Sequence, residues 1–285
     1  MALSCYCLKE SYFYPINMQV LRKTVFLLVI AVATMGGAGR AQTVTQIDKG
    51  LVHYLGKINY WKSRQSAHAF DSLAYANDHL IDYMKKVFPL APATLKGNFK
   101  LAKAKGMHYV TSDDGNLRFY YWDMQMGTSI HFFADFAQYT VSDGAGFVDM
   151  IDPNVQGDPG GFYTSIITVQ ASGRPVYLVM SGSAGSEREE SEQVTAFSVI
   201  DDKLVKVLLF HKRLKKFSHL EYDYDPRSIE KLKGKKPTIH LSPDKQFLYM
   251  PDVDDGGDYT GDFIVYKFNG EFYVFDKADE PATGK

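Results

Sequence analysis

Met107-His108-Tyr109-Val110-Thr111-Ser112-Asp113-Asp114-Gly115-Asn116-Leu117-Arg118-Phe119-Tyr120-Tyr121-Trp122-Asp123 is where the hydrophobic period of this chain changes from that of a helix to that of a strand. Thr111–Asn116 holds the Asp-Gly signal of a tight turn, so it reads as a hairpin joining Met107–Val110 to Leu117–Asp123. In the second strand Phe119 and Tyr121 point to one face, Tyr120 and Trp122 to the other. Large rings thus occupy both faces. One pair must cover either a second core layer or solvent.

Upstream the pattern is helical. Val44, Ile47, Leu51, Leu55 and Ile58 recur at the spacing of one helix face. A second helix is expected from about Arg64 to Phe88, with Phe70, Leu73, Leu80, Ile81, Met84, Val87 and Phe88 as its apolar stripe. Pro89 and Pro92 stop it, and a shorter third helix is expected over Ala93–Lys103. Downstream, Ser129–Tyr139 reads as a strand and Gly144–Gly161 as loop. Phe162–Gln170 and Pro175–Ser181 pair across Ala171-Ser172-Gly173-Arg174, and Gly182–Glu192, with four glutamates, reads as an exposed run. Val194–Ile200 and Leu204–Phe210 pair across Asp201-Asp202-Lys203. Thr238–Leu241, Phe247–Met250, Phe263–Phe268 and Phe272–Phe275 complete the set, the last two joined by Asn269-Gly270, a type I′ signal.

The expected fold is α+β: N-terminal helices, about three, packed on a predominantly antiparallel β-sheet or sandwich of about 10–12 strands. A propeller-like β domain is the alternative, but about twelve strands make only three blades and closed propellers need at least four. Residues 42–106 form the expected helical region, 107–276 the β-rich region and 277–285 a disordered tail, with 42–276 as one compact unit. A weak internal echo links Ser112–Tyr120 to Ser242–Tyr249, each opening on a Ser-x-Asp turn.

The first 41 residues read as a leader. Arg22 and Lys23 precede an apolar run from Thr24 to about Ala38, and Gly39-Arg40-Ala41 places small residues at the −3 and −1 positions of a cut before Gln42. The run is shorter than the roughly 20 residues of a membrane-spanning helix, so no transmembrane anchor is expected after cleavage. Met18 has the spacing of a true start, which makes residues 1–17 an upstream misreading. Both cysteines, Cys5 and Cys7, lie there, so the product from Gln42 is cysteine-free. That excludes disulfide staples, thiol nucleophiles and thiolate metal sites. The expected location is exported, periplasmic or secreted.

Processing also changes the charge. Lys9, Arg22, Lys23 and Arg40 against Glu10 give the leader +3, which leaves 28 basic and 32 acidic residues and a net charge of −4. Such a body has no general attraction to nucleic acid, and none is expected as a partner. Two local basic clusters, Lys212, Arg213, Lys215, Lys216 and Lys231, Lys233, Lys235, Lys236, read as solvated loops flanking strands, with an anionic-polymer contact as the competing reading.

Tyr121-Trp122-Asp123 followed by Gly127-Thr128-Ser129-Ile130-His131-Phe132, and the ending Phe263–Gly270, resemble recurring segments of uncharacterised exported bacterial proteins. The resemblance covers most of the β-rich part and implies no activity and no site residues.

Each candidate site has a plainer reading beside it. His68, Asp71, Asp78, His79 and Asp82 share one polar stripe of the second helix, which any amphipathic helix must expose. Asp252, Asp254, Asp255, Asp258 and Asp262 fail the calcium-loop template, because the twelfth position is Phe263, and read as turn formers. Ser181–Ser186 lacks the glycine and the strand–turn–helix context of a nucleophile elbow. The expected function is a non-enzymatic exported protein that binds a glycan, peptide or cell-envelope partner through an aromatic sheet face. Its ligand-binding candidates are Arg118, Tyr120, Trp122, Asp123 and His131. One alternative is a glycosidase-like hydrolase, which requires two carboxylates, or a His and a carboxylate, converging in one cleft. Another is a structural envelope protein. No catalytic residue, metal or cofactor is assigned.

Overall fold

A computed structural model describes residues 42–64, 66, 68–127, 131–150, 160–186, 189–231 and 236–278. Contacts divide the chain between Ala41 and Gln42, and every element below lies in the second, compact unit. The class is α+β.

Helix α1 (Val44–Lys62) opens on a capping box: Thr43 Oγ1 accepts from Gln46 N–H, and Gln46 Oε1 accepts from Thr43 N–H at 2.9 Å. Ile47, Leu51, Leu55 and Ile58 are buried, as the stripe predicts. In α2 (Ala69–Val87) the stripe is buried only from Leu73 onward, and Phe70 is exposed in the first turn, contrary to its expected core role. The expected third helix is broken. Pro89 and Pro92 set 3₁₀ turns at Phe88–Leu90 and Pro92–Lys96, Gly97 is extended, and only α3 (Lys100–Lys103) follows. Arg118 Nη1 donates to the carbonyls of Thr94 (3.1 Å) and Gly97 (2.6 Å), and Thr94 O also accepts from Gly97 N–H (3.0 Å), which closes the second 3₁₀ turn. Asp48 caps α3 by accepting from Leu101 N–H (3.1 Å) and Ala102 N–H (2.9 Å).

The first sheet runs β1 (His108–Thr111), β2 (Leu117–Asp123), β3 (Phe133–Val141), β4 (Gly144–Asp149), in that order. Strand β4 occupies part of the segment expected as loop. Its small residues are there for packing: Gly146 pairs with Tyr139, whose ring carbon Cζ lies 2.4 Å from where a Cβ would sit. Residues 128–130 and 151–159 lie outside the described set. Next come β5 (Phe162–Ala171), β6 (Arg174–Ser186), β7 (Glu189–Ile200), β8 (Lys203–Lys206), β9 (Phe210–Lys212), β10 (Lys215–Phe217), β11 (His219–Tyr224) and the short α4 (Ser228–Lys231). Strands β12 (His240–Leu241), β13 (Phe247–Val253), β14 (Tyr259–Phe268) and β15 (Tyr273–Ala278) end the chain. The second sheet has the order β11-β7-β6-β5, with β8 also on β7. The third is β10-β9-β15-β14-β13-β12, and its β15–β9 pair is parallel while the other pairs are antiparallel.

Fifteen strands among the described residues exceed the expected number. Leu204–Phe210 divides between two sheets. Of Gly182–Glu192, expected as an exposed run, Gly182–Ser186 extends β6 and Glu189–Glu192 opens β7, and Glu190 and Glu192 accept hydrogen bonds from Tyr224 and Tyr222. The Asn269-Gly270 hairpin forms, but with four loop residues between Phe268 and Tyr273. Only Gly270 has positive φ, whereas a type I′ turn needs two such residues. Asn269 Oδ1 instead accepts from Glu271 and Phe272 N–H.

Three apolar cores separate four layers. Tyr120, Trp122 and Phe136 on one face of the first sheet pack under Leu51, Leu80 and Met84 of the helices. Phe119 and Ala137 on its other face meet Tyr163, Val179 and Phe197 of the second sheet. Leu178, Val194 and Leu220 on the far side of that sheet meet Phe210, Leu248 and Tyr266 of the third. The helices thus cover the face of the first sheet that the second sheet leaves open.

Candidate ligand-binding cleft

The structure places the five expected site residues where four of them serve the fold. Tyr120 and Trp122 are sealed beneath the helices, at 0% and 1% exposure, and offer no surface to a ligand. This corrects the expected aromatic binding face: α1 and α2 supply the second core layer that the ring pattern required. Trp122 Nε1–H donates to Asn77 Oδ1 (3.0 Å), and the Tyr120 hydroxyl oxygen lies 2.9 Å from both Thr94 O and Gln138 Oε1, which share its one proton. Burial, the largest influence, pushes the Tyr120 phenol well above its ordinary range. Arg118 is also buried, its Nε–H donating to Thr111 Oγ1 at 2.7 Å. Asp123 clasps the end of β2, with Oδ1 accepting from Gln125 N–H (2.7 Å) and Oδ2 at 2.7 Å from exposed His131 Nδ1. His131 alone remains at the surface.

The other candidates resolve similarly. Asp254 Oδ1 accepts from Gly256 N–H (2.9 Å) and Asp258 N–H (3.0 Å), the bonds of a local turn. Among the described residues no three His, Cys, Asp or Glu side chains converge as a metal site. Ser181–Ser186 is the end of strand β6 and leads into no helix.

A cleft the sequence did not reveal opens between the first and second sheets. Its volume is about 330 Å³. On the second sheet one register line crosses four strands: Tyr163 pairs with Ser181, Ser181 with Gln193, and Gln193 with Glu221. All four line the cleft. In neighbouring positions of the same face, Ser183 and Ser191 share a 2.8 Å hydrogen bond, and Thr195 Oγ1 donates to Gln193 Oε1 at 2.7 Å. That fixes the Gln193 amide with its nitrogen left to donate. The opposite wall contributes Asp135 of β3, 3% exposed, whose Oδ2 accepts from Tyr163 O–H at 2.5 Å. Gly160 closes one side at φ +65°, where a Cβ would fall 2.2 Å from Phe133 O, so only glycine fits.

The cleft offers hydroxyls, an amide, two carboxylates and the Lys206 ammonium. Ser181 Oγ, Gln193 Nε2, Glu221 and Lys206 make no hydrogen bond or ion pair among the described residues, so they face solvent unengaged. Three strand spacings, about 14 Å, separate the Tyr163 end of the row from the Glu221 end. The row is therefore an elongated set of hydrogen-bonding groups. A sequence signal for it existed in part: β11 alternates buried Leu220, Tyr222 and Tyr224 with exposed His219, Glu221 and Asp223. The pairing that aligns it with Gln193 had none.

No family model, curated protein or solved structure matches this chain.

Proposed function

We propose that this chain is an exported, non-catalytic binding protein that takes a short neutral glycan segment in the cleft between its first two sheets. The observation that carries this reading is the register-aligned row Tyr163–Ser181–Gln193–Glu221 facing buried Asp135. Sugar hydroxyls both donate and accept, and the row alternates groups of both kinds along an extended line. The volume falls within the usual range of small-ligand sites.

Calorimetric titration of the protein against neutral oligosaccharides tests this. Gln193→Ala is expected to weaken binding about tenfold, equivalent to about 1.4 kcal/mol, by removing one oriented amide. Glu221→Gln is expected to preserve most of the affinity, because a neutral ligand needs the acceptor and not the charge. Failure of every neutral glycan to bind, or hydrolysis of a glycan in the cell, would sink the reading.

A further inference from the structure

The β9–β10 hairpin combines two features that a solvated edge does not need together. Lys212 pairs with Lys215, so Arg213-Leu214 forms a two-residue turn with Arg213 at φ +58°. Leu214 at its tip is 98% exposed, and Leu208 (58%) and Phe217 (36%) lie at its base. Lys212, Arg213, Lys215 and Lys216 surround the leucine, and no acidic residue occurs from His211 to Phe217. Since β10 is the edge of the third sheet, lysines there guard against edge-to-edge pairing. A lone exposed leucine is ordinary too. But edge protection calls for charge alone and gains nothing from a leucine at the outermost point.

We infer that this hairpin docks the protein onto an anionic lipid surface, with Leu214 entering the headgroup–acyl boundary and the four cations meeting lipid phosphates. Lysine and arginine suit that position because their stems lie along apolar surface while their charges stay in the polar layer. The leucine selects a bilayer over a soluble polyanion, for which an apolar tip has no use. The remainder of the chain from Gln42 is net acidic, so the hairpin's four cations contrast with it and orient the molecule. No described helix is long and apolar enough to cross a membrane. The hairpin contact is independent of the cleft.

Sedimentation with vesicles tests it, using the compact unit 42–285 so that the apolar run before it contributes nothing. The protein is expected to pellet with phosphatidylcholine–phosphatidylglycerol vesicles and not with phosphatidylcholine alone. Leu214→Ser should weaken binding about tenfold, the factor for withdrawing one leucine from hydrocarbon. Lys215→Ser with Lys216→Ser should weaken it about 25-fold, at a factor of about five per cation. All three residues are exposed, so these changes leave the fold intact. Absence of binding to anionic vesicles at low salt overturns the proposal. So does binding that Leu214→Ser leaves unchanged and dextran sulfate competes away, which would mark a site for an anionic polymer.

Discussion

Trp122 shows how far a single residue can be read. Its alternation with Tyr121 is plain in the sequence, and its burial follows from Asn77, which stands 45 positions earlier and carries no motif. Asn77 Nδ2 donates to Leu73 O (3.0 Å) and Met124 O (2.9 Å) while Oδ1 accepts from the indole, so one amide ties α2 to the end of β2. Asn77→Ala leaves the buried Trp122 N–H without its partner. The loss should be roughly 2 to 4 kcal/mol, from an unsatisfied donor plus a small cavity. Urea unfolding read by tryptophan emission would measure it, and a change below about 0.5 kcal/mol would show that water replaces the amide.

Elements were legible where burial was one-sided. The stripes of α1 and α2, the Ser172-Gly173 hairpin and the Asp201-Asp202 hairpin all follow from local pattern, and positive φ at each turn residue agrees with their chemistry. Strand β4 was not legible, because glycine usually marks loop and its use here depends on a partner strand. Tyr139 covers Gly146 across the pair, supplying the side chain that glycine lacks. Gly146→Ala should therefore cost about 1 to 3 kcal/mol through overpacking against a buried ring. Amide exchange in Gly144–Asp149 is the appropriate readout. Protection unchanged from the parent chain would mean that Tyr139 swings aside freely. The cleft was illegible for a related reason, since its row joins four strands whose registers are set by three separate hairpins and pairings.

At the scale of the molecule, the internal echo proves structural. Ser112 Oγ donates to Asp114 and accepts from Leu117 N–H, and Ser242 Oγ makes the same bonds to Asp244 and Phe247. The two turns also meet: Lys245 Nζ lies 2.9 Å from Asp113 Oδ2 and 2.8 Å from Thr168 O, while Thr168 N–H donates to Asp113 Oδ1 at 2.8 Å. One ammonium and one carboxylate thus join all three sheets. Desolvation alone would raise the Asp113 carboxyl, but hydrogen bonds from Thr168 and Lys245 outweigh it and hold it at about 2, below its ordinary 3.8. Because the folded value is the lower one, its stabilisation is complete above pH 3.8 and disappears as pH falls through about 2. Asp113→Asn should flatten that part of the acid denaturation curve, with far-ultraviolet circular dichroism as the measure. Identical curves for the two proteins would exclude this linkage.

The same junction has a consequence for biosynthesis. Lys245 stands 132 positions after Asp113, and the layer that covers Leu178, Val194 and Leu220 comes largely from residues beyond Phe247. A nascent chain halted before that point displays a bare greasy sheet, and its survival until the residues beyond Phe247 emerge depends on a chaperone or on staying unfolded in transit.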